Sequence, residues 1–482
     1  MTLSPTSARP RAGWTFAIVS VALFMVTLDN LVVSTALPTI KRDLGASLES
    51  LEWTVNAYTL SFAVLLLTGA ALGDRFGRRR MFGIGIGLFT LSSALAAVAP
   101  STGALVAARA LQGVGAAVVL PLTLTLLSEA VPAAKRGLAI GAWSGISGLG
   151  VALGPVVGGA VVDGISWHWI FWLNVPTGLV LIPLAHRYLS ESRGPANRLD
   201  LPGIGLAGIG LLGLVYGIVR GQALGWTSTT IIASLGAGVA LLAAFVAWEA
   251  RAAAPMLPLK FFRNRAFTAT NGVSLAMFFG VFGSIFLLSQ FFQTTQGLSP
   301  LESGLRVLPW TIMPMFVAPV AGLLSDRIGS RPLMAAGLAL QATAMAWLAA
   351  VSTPTVAYSA LVIPFVLAGT GMALVFAPAA NAVLSAVRPE EAGQASGATN
   401  AIRELGGVLG VAVLASVFTA NGGYESPQAY VDGMTAALPV GAAVLAAGAV
   451  LALLIPGRKS TPAIAAAPAE ADEPTAALAR AA

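Results

Sequence analysis

Asp29 lies inside the first long apolar stretch of the chain, in the segment LDNLVVSTALP at residues 28–38. A carboxylate placed there costs about 2.5–3.5 kcal/mol on membrane-insertion scales, so some interaction must offset it. Two roles answer that requirement: pairing with a neighbour, or binding and releasing a proton during a working cycle. Arg109 poses the converse problem in the fourth apolar stretch, because a guanidinium keeps its charge and needs a counter-charge. Counted from the ends of their stretches at 1.5 Å per residue, the two lie roughly 10 Å and 9 Å below the same face. Equal depth permits an Asp29–Arg109 contact. Further along, Arg403 and Glu404 are adjacent inside GQASGATNAIRELGG, residues 393–407. Neighbours on a helix point about 100° apart, so these two cannot simply face one another. Glu404 has two readings: a second proton or cation site, or a carboxylate reaching the headgroups.

A second kind of chemistry is written twice. ALGDRFGRRR (71–80) and GLLSDRIGSR (322–331) share an Asp-Arg-x-Gly-x-Arg core, the Gly322 that heads the second copy corresponds to Ala70 in the first, and the copies stand 252 residues apart. Asp74 can accept hydrogen bonds from Arg78 or from a helix N-terminus, while Gly77 permits a tight turn. Asp326, Arg327 and Gly329 repeat Asp74, Arg75 and Gly77. A long repeat of this kind marks two homologous membrane halves.

The elements that position these residues follow from composition. The chain has 482 residues, 56% hydrophobic and 10% charged, far from the roughly 25% charge of soluble domains. Fourteen apolar runs are long enough to span a bilayer: 14–36, 51–72, 81–99, 104–127, 138–163, 168–187, 201–220, 229–248, 268–292, 305–325, 333–351, 357–378, 396–419 and 435–456. The Asp-Arg loops follow the second and the tenth, eight spans apart where a plain duplication of six would give six. Two spans are therefore inserted, most economically the seventh and eighth. This predicts an all-α integral membrane protein, with six-helix halves at 14–190 and 266–456 flanking two added helices at 200–249. Residues 1–13 and 457–482 are polar or low-complexity tails. The first run is too long for a signal-peptide core and reads as a retained span.

Of the 27 Lys and Arg, twenty-one fall on the side of the amino terminus and three on the other, with three inside spans. That bias predicts both termini in the cytoplasm. The net charge of +7 then answers to anionic lipid, with no nucleic-acid partner. With no Cys and two His, neither a disulfide framework nor a metal centre is expected. The match Gly203-x-Gly205-x-x-Gly208 has the dinucleotide spacing, yet it lies in an apolar span and reads as helix packing. No Gly-x-x-x-x-Gly-Lys phosphate loop is present, so no nucleotide or other cofactor is expected, and the short loops hold no catalytic constellation.

Taken in order, these motifs resemble the major facilitator superfamily, and within it the fourteen-span drug:proton antiporter family, over nearly the whole chain. RALQGVGAA (109–117) is similar to that family's fourth-span motif, which implies a part in proton coupling for Arg109. The fifth-span glycines Gly150, Gly154 and Gly158-Gly159, with Pro155, resemble the motif characteristic of antiporters and imply export. The resemblance also implies that the Asp74 and Asp326 loops act as a conformational switch. Leu31 and Ser34 stand where the family usually has Thr and Asn, and Glu404 where it commonly has Gln. The resemblance implies an exporter of small amphipathic compounds driven by the proton gradient, working as a monomer in a bacterial inner membrane. Export of one metabolite is the alternative, and import a weaker one. Residues able to line a substrate pocket are Asn56, Tyr58, Gln112, Phe282, Phe286, Gln290, Gln293, Asn400 and Arg403. Trp167, Trp169 and Trp172 read as an interfacial belt.

Overall fold

The computed structural model describes residues 12–193, 200–253, 255–387 and 391–457. The tails expected at 1–13 and 457–482 lie almost wholly outside them. Fourteen helical segments are long and apolar enough to cross a membrane, matching the fourteen runs in order. The first half comprises α1 (Ala12–Leu44), α2 (Leu48–Phe76), α3 (Arg78–Ala97), α4 (Thr102–Ala130), α5 (Ala133–Gly164), α6 (Trp169–Trp172) and α7 (Asn174–Tyr188). A hairpin of α8 (Leu201–Leu224) and α9 (Thr229–Glu249) follows. The second half comprises α10 (Arg265–Thr294), α11 (Pro300–Thr311), α12 (Met313–Ile328), α13 (Ser330–Val351), α14 (Tyr358–Ser385), α15 (Ala392–Asn421) and α16 (Pro427–Ala452).

Local sequence explains the helix starts. At the end remote from the Asp-Arg loops, α2, α4, α9, α11 and α16 each begin with a serine cap: Ser47, Ser101, Ser228, Ser299 and Ser426. Each hydroxyl accepts a backbone N–H that would otherwise be orphaned where the chain turns back. Two expected spans are broken. The run 305–325 divides at Ile312 into α11 and α12, because Pro314 cannot donate to the carbonyl one turn before it. The run 168–187 divides at Leu173 into α6 and α7, ahead of Pro176. In the other direction, α1 runs eight residues past its expected end at 36, with Pro38 inside it.

The repeat survives in the backbone. Gly77 and Gly329, again 252 residues apart, adopt φ of 106° and 86° at the α2–α3 and α12–α13 junctions. A side chain is strained in that region, so both turns require glycine.

The two halves meet most closely at the end remote from the basic loops. Ser289 Oγ donates to the Ser34 carbonyl at 3.1 Å, and Gln293 Nε2 to the Thr35 carbonyl at 2.8 Å, joining α10 to α1. The Lys41 ammonium sits 3.2 Å from the centre of the Tyr424 ring. Glycines join α5 to α11: a Cβ on Gly159 would lie 2.7 Å from Leu301 Cα, and one on Gly304 2.7 Å from the Pro155 carbonyl carbon. Nearer the basic end, α2 meets α15, where a Cβ on Gly397 would lie 2.6 Å from Leu67 Cδ2. The inserted helix α8 wedges beside that seam, with Leu211, Val215 and Val219 against Leu60 of α2 and Val408 and Ala412 of α15. Arg220 of α8 also ion-pairs with Glu49 of α2. Helix α9 packs on α8 alone of these, through Gly210, Gly213 and Gly217, and turns Ile232, Val239 and Val246 outward.

Leucine at Gly304 is expected to part α11 from α5 and loosen this remote end. Since the native chain has no Cys, a Thr35→Cys reporter reads the change. Its labelling by a water-soluble maleimide should rise severalfold when Gly304→Leu is added. Equal labelling in both backgrounds would show that the glycine contact does not hold that end shut.

Candidate functional site

Asp29 and Arg109 do meet. Arg109 Nη1 donates to Asp29 Oδ2 at 2.6 Å, with both side chains 1% exposed. The second carboxylate oxygen accepts from Gln112 Nε2 and from Asn174 Nδ2, both at 2.8 Å. Arg109 is held in turn: Nη1 also donates to Gln112 Oε1 at 2.7 Å, and Nε to the Thr54 carbonyl at 3.3 Å. Ser93 Oγ completes the network by accepting from Gln112 and Asn174 at 2.7 and 3.3 Å. The Tyr58 ring lies 4.1 Å from the guanidinium carbon and the Phe171 ring 5.8 Å away.

Six helices (α1, α2, α3, α4, α6 and α7) thus converge on one charge pair, and the backbone explains how they come so close. A side chain on Gly113 would collide with Ser61 and the Tyr58 carbonyl of α2, so the glycine after Gln112 lets α4 lie against α2. The break before Pro176 sets Asn174 at the start of α7, aimed at Asp29. Asn174, Ser93 and Thr54 escaped the sequence reading. An isolated Asn just ahead of a proline, deep in an apolar run, was the available signal.

Several sequence candidates have different surroundings from those a pocket would give. Tyr58 and Gln112 belong to the charge cluster. Gln293 ties the halves together, and Gln290 accepts from the Tyr424 hydroxyl while donating to the Phe286 carbonyl at 2.8 Å. Phe286 is fully buried in the core, and Phe282 stacks on Phe278 at 5.5 Å. Asn56 is also fully buried, and neither atom of its amide has a partner. Arg403 Nη1 donates to Asn400 Oδ1 at 3.4 Å, and Glu404 Oε2 is buried without a partner. Trp167 corrects the expected aromatic belt: it is fully buried and donates to Asp43 at 2.9 Å, whereas Trp169 is exposed.

At the basic end, Arg78 Nη2 and Nε donate to Asp74 Oδ1 at 2.7 and 2.9 Å, and Arg78 also ion-pairs with Glu129 at the end of α4. Its backbone N–H donates to the Ser192 carbonyl at 2.9 Å. Glu191 accepts from the backbone N–H groups of Arg79 and Arg80 at 3.0 and 3.2 Å, capping the start of α3 as an anion should. The loop is therefore bolted to α4 and to the segment after α7, by acids that carried no motif. Arg75 lies 5.3 Å from the Phe76 ring. In the second copy Arg327 is exposed, and the Asp326 side chain lies outside the described residues. Along α5, Gly150, Gly154 and Gly158 face Thr27, Leu31 and Val32 of α1, while Gly159 and Pro155 face α11. The Thr35 hydroxyl donates to the Pro155 carbonyl at 3.5 Å.

Breaking a buried pair strands a charge at a cost of about 3–5 kcal/mol. Asp29→Ala is therefore expected to lower the melting temperature of the purified protein sharply. The double variant Asp29→Ala/Arg109→Leu should recover part of that loss. A double variant that melts no higher than Asp29→Ala would show that the stranded guanidinium is not the cause.

The fold and these sites can now be set beside known proteins. The family model described as Major Facilitator Superfamily matches residues 19–411. The multidrug resistance protein Stp of Mycobacterium tuberculosis is 37% identical over 84% of this chain and 76% of its own length. The tetracenomycin C resistance and export protein of Streptomyces glaucescens is 34% identical over 89% and 80%. The puromycin resistance protein pur8 of Streptomyces alboniger is 36% identical over 92% of each. Among solved structures, a bacterial homologue of the human lysosomal transporter Spinster, inward-facing and unoccupied, superposes with a TM-score of 0.65 at 16% identity, covering 93% and 98%. That structural likeness speaks for the fold alone. A family match across most of the length, carried on fourteen membrane-length helices, places this multi-pass membrane chain in the Major Facilitator Superfamily of transporters.

Proposed function

We propose that this protein exports small amphipathic organic compounds, antibiotics among them, in exchange for protons. Both termini and the basic loops face the cytoplasm, and the two halves, 14–190 and 266–456, rock about a central site. The observation that carries the coupling is the network on Asp29. Its two carboxylate oxygens are occupied by Arg109, Gln112 and Asn174. A proton arriving on Oδ2 competes directly with Arg109, and taking it up releases the guanidinium from α1. Since the same cluster draws in residues of α2, α3 and α7, protonation would change how these helices are held together. That is what coupling a proton to a conformational change requires. Glu404 is a second candidate carrier. The Asp74–Arg78–Glu129 contacts act as the latch that must open as the basic end rearranges. The reading needs no cofactor and no catalytic step, and a single protomer contains all of its parts.

Three relatives named for multidrug, tetracenomycin C and puromycin resistance support export of drugs. Relatives named for one compound also support a second reading, a dedicated exporter of a single antibiotic. Purified protein in liposomes, under an imposed pH gradient, tests both with ethidium and a panel of neutral drugs. Gradient-driven movement of several unrelated compounds is expected, falling at least tenfold in Asp29→Asn while substrate binding persists. Full gradient-driven efflux in Asp29→Asn would move the coupling to Glu404. Movement of one compound alone would favour the dedicated exporter. Arg109→Lys keeps the charge without the planar fork, and loss of coupling is expected there too.

A further inference from the structure

Arg403 is as much a membrane-buried cation as Arg109, yet the one carboxylate that acts on it among the described residues, its sequence neighbour Glu404, forms no ion pair with it. It is 8% exposed in the middle of α15. Among the described residues it makes no ion pair, and its one hydrogen bond is the 3.4 Å contact from Nη1 to Asn400 Oδ1. Nε and Nη2 are buried without any partner. Those two N–H groups form the edge of the guanidinium that engages both oxygens of a carboxylate at once. The ring of Phe376 lies 4.8 Å from the guanidinium carbon and that of Phe278 5.9 Å away. Rings soften the burial of a cation, but they do not satisfy donors directed past them. Glu404, the next residue, points about 100° away around the helix and makes no ion pair with it.

The same side chain also lines a space. Arg403, Asn400, Thr399 and Ser396 of α15 enclose a cavity of about 50 Å³ with Ala380 and Val383 of α14. The wall has the chemistry of an anion site: a fixed cation, an amide, two hydroxyls and an apolar backing. The Thr399 hydroxyl spends its proton on the Ala395 carbonyl at 3.0 Å, so it adds no second donor that would favour a tetrahedral anion.

We propose that Arg403 and Asn400 form a carboxylate-binding subsite, so that the compounds this transporter accepts include amphipathic organic acids. The acid group enters the cavity, the guanidinium turns Nε and Nη2 toward it, and the apolar body of the molecule remains outside, beside Phe278 and Phe376. A planar acid suits two parallel N–H donors better than a spherical halide does. The proposal rests on the transport reading for its biological sense, but its test does not use transport.

The probe is benzoate, added to the purified protein at constant ionic strength and compared with chloride and with methyl benzoate. Ligand that binds only the folded state raises the melting temperature with concentration. Benzoate is expected to raise it by several degrees, with chloride and the ester giving little. Arg403→Lys should weaken the apparent affinity for benzoate about tenfold or more, because a point charge replaces the fork. An equal shift from chloride would make this a general anion site and overturn the carboxylate assignment. An equal shift from the ester would leave an apolar pocket only. No shift from benzoate in the native protein would overturn the subsite altogether, and that comparison needs no variant to fold. Benzoate binding without gradient-driven efflux would instead count against the antiport reading and leave the subsite in place.

Discussion

A single buried ion pair sets the terms for the first half of the molecule. Asp29 and Arg109 lie 80 residues apart in sequence, and stranding either charge in an apolar interior without the other is costly. Their geometry must be kept, so every neighbouring element is arranged to keep it. Gln112 touches both charges, Asn174 reaches Asp29 from the broken sixth span, and Ser93 links the two amides. A bare carboxylate and guanidinium in hydrocarbon would barely repay their desolvation. The surrounding amides satisfy what remains of their hydrogen-bonding capacity, and that changes the balance. The small residues that follow Arg109 serve the same end, because they let α4 come near enough for the pair to form.

The interface between the halves obeys an opposite rule. It uses almost no charge. At the end remote from the basic loops it consists of glycine against backbone, two side-chain donors onto carbonyls, and one lysine over a tyrosine ring. Such contacts are close but individually weak, and few polar atoms are left stranded when they part. The proposed rocking of the halves is well served by that composition. The ion pairs that would be costly to break, on Asp29 and around Asp74, lie within one half.

Between the two stands the inserted hairpin. Helix α8 touches both α2 and α15, and so lies beside the seam between those two helices. Its pair with Glu49 fixes it to the first half, while its contacts with the second are apolar. Relative motion of the halves must therefore slide α15 along α8, and the smooth row of Leu211, Val215 and Val219 suits sliding. Helix α9 shields the outer face of α8 and presents little but hydrocarbon beyond it.

Much of this was legible before any coordinates. Fourteen spans and the repeat at 252 residues follow from hydropathy and from one duplicated loop, and the expectation of a six, two and six division rests on those same two signals. Both signals are local, and the bilayer forces them to be strong. Asp29 and Arg109 were conspicuous because a charge in an apolar run has no inconspicuous explanation, and helix rise alone put them at one depth. What the sequence could not determine was azimuth, meaning which way a residue faces around its helix and which helix it meets. Azimuth separates Tyr58 and Gln112, which join the charge cluster, from Asn56, two residues away and without a partner. It assigns Gly154 to α1 and Gly159 to α11, although they belong to one motif. It also leaves Arg403, among the described residues, without the ion pair that Arg109 possesses. In a protein whose helices are apolar on nearly every side, amphipathic pattern gives no bearing, and only the packed tertiary structure decides which side chains share a site.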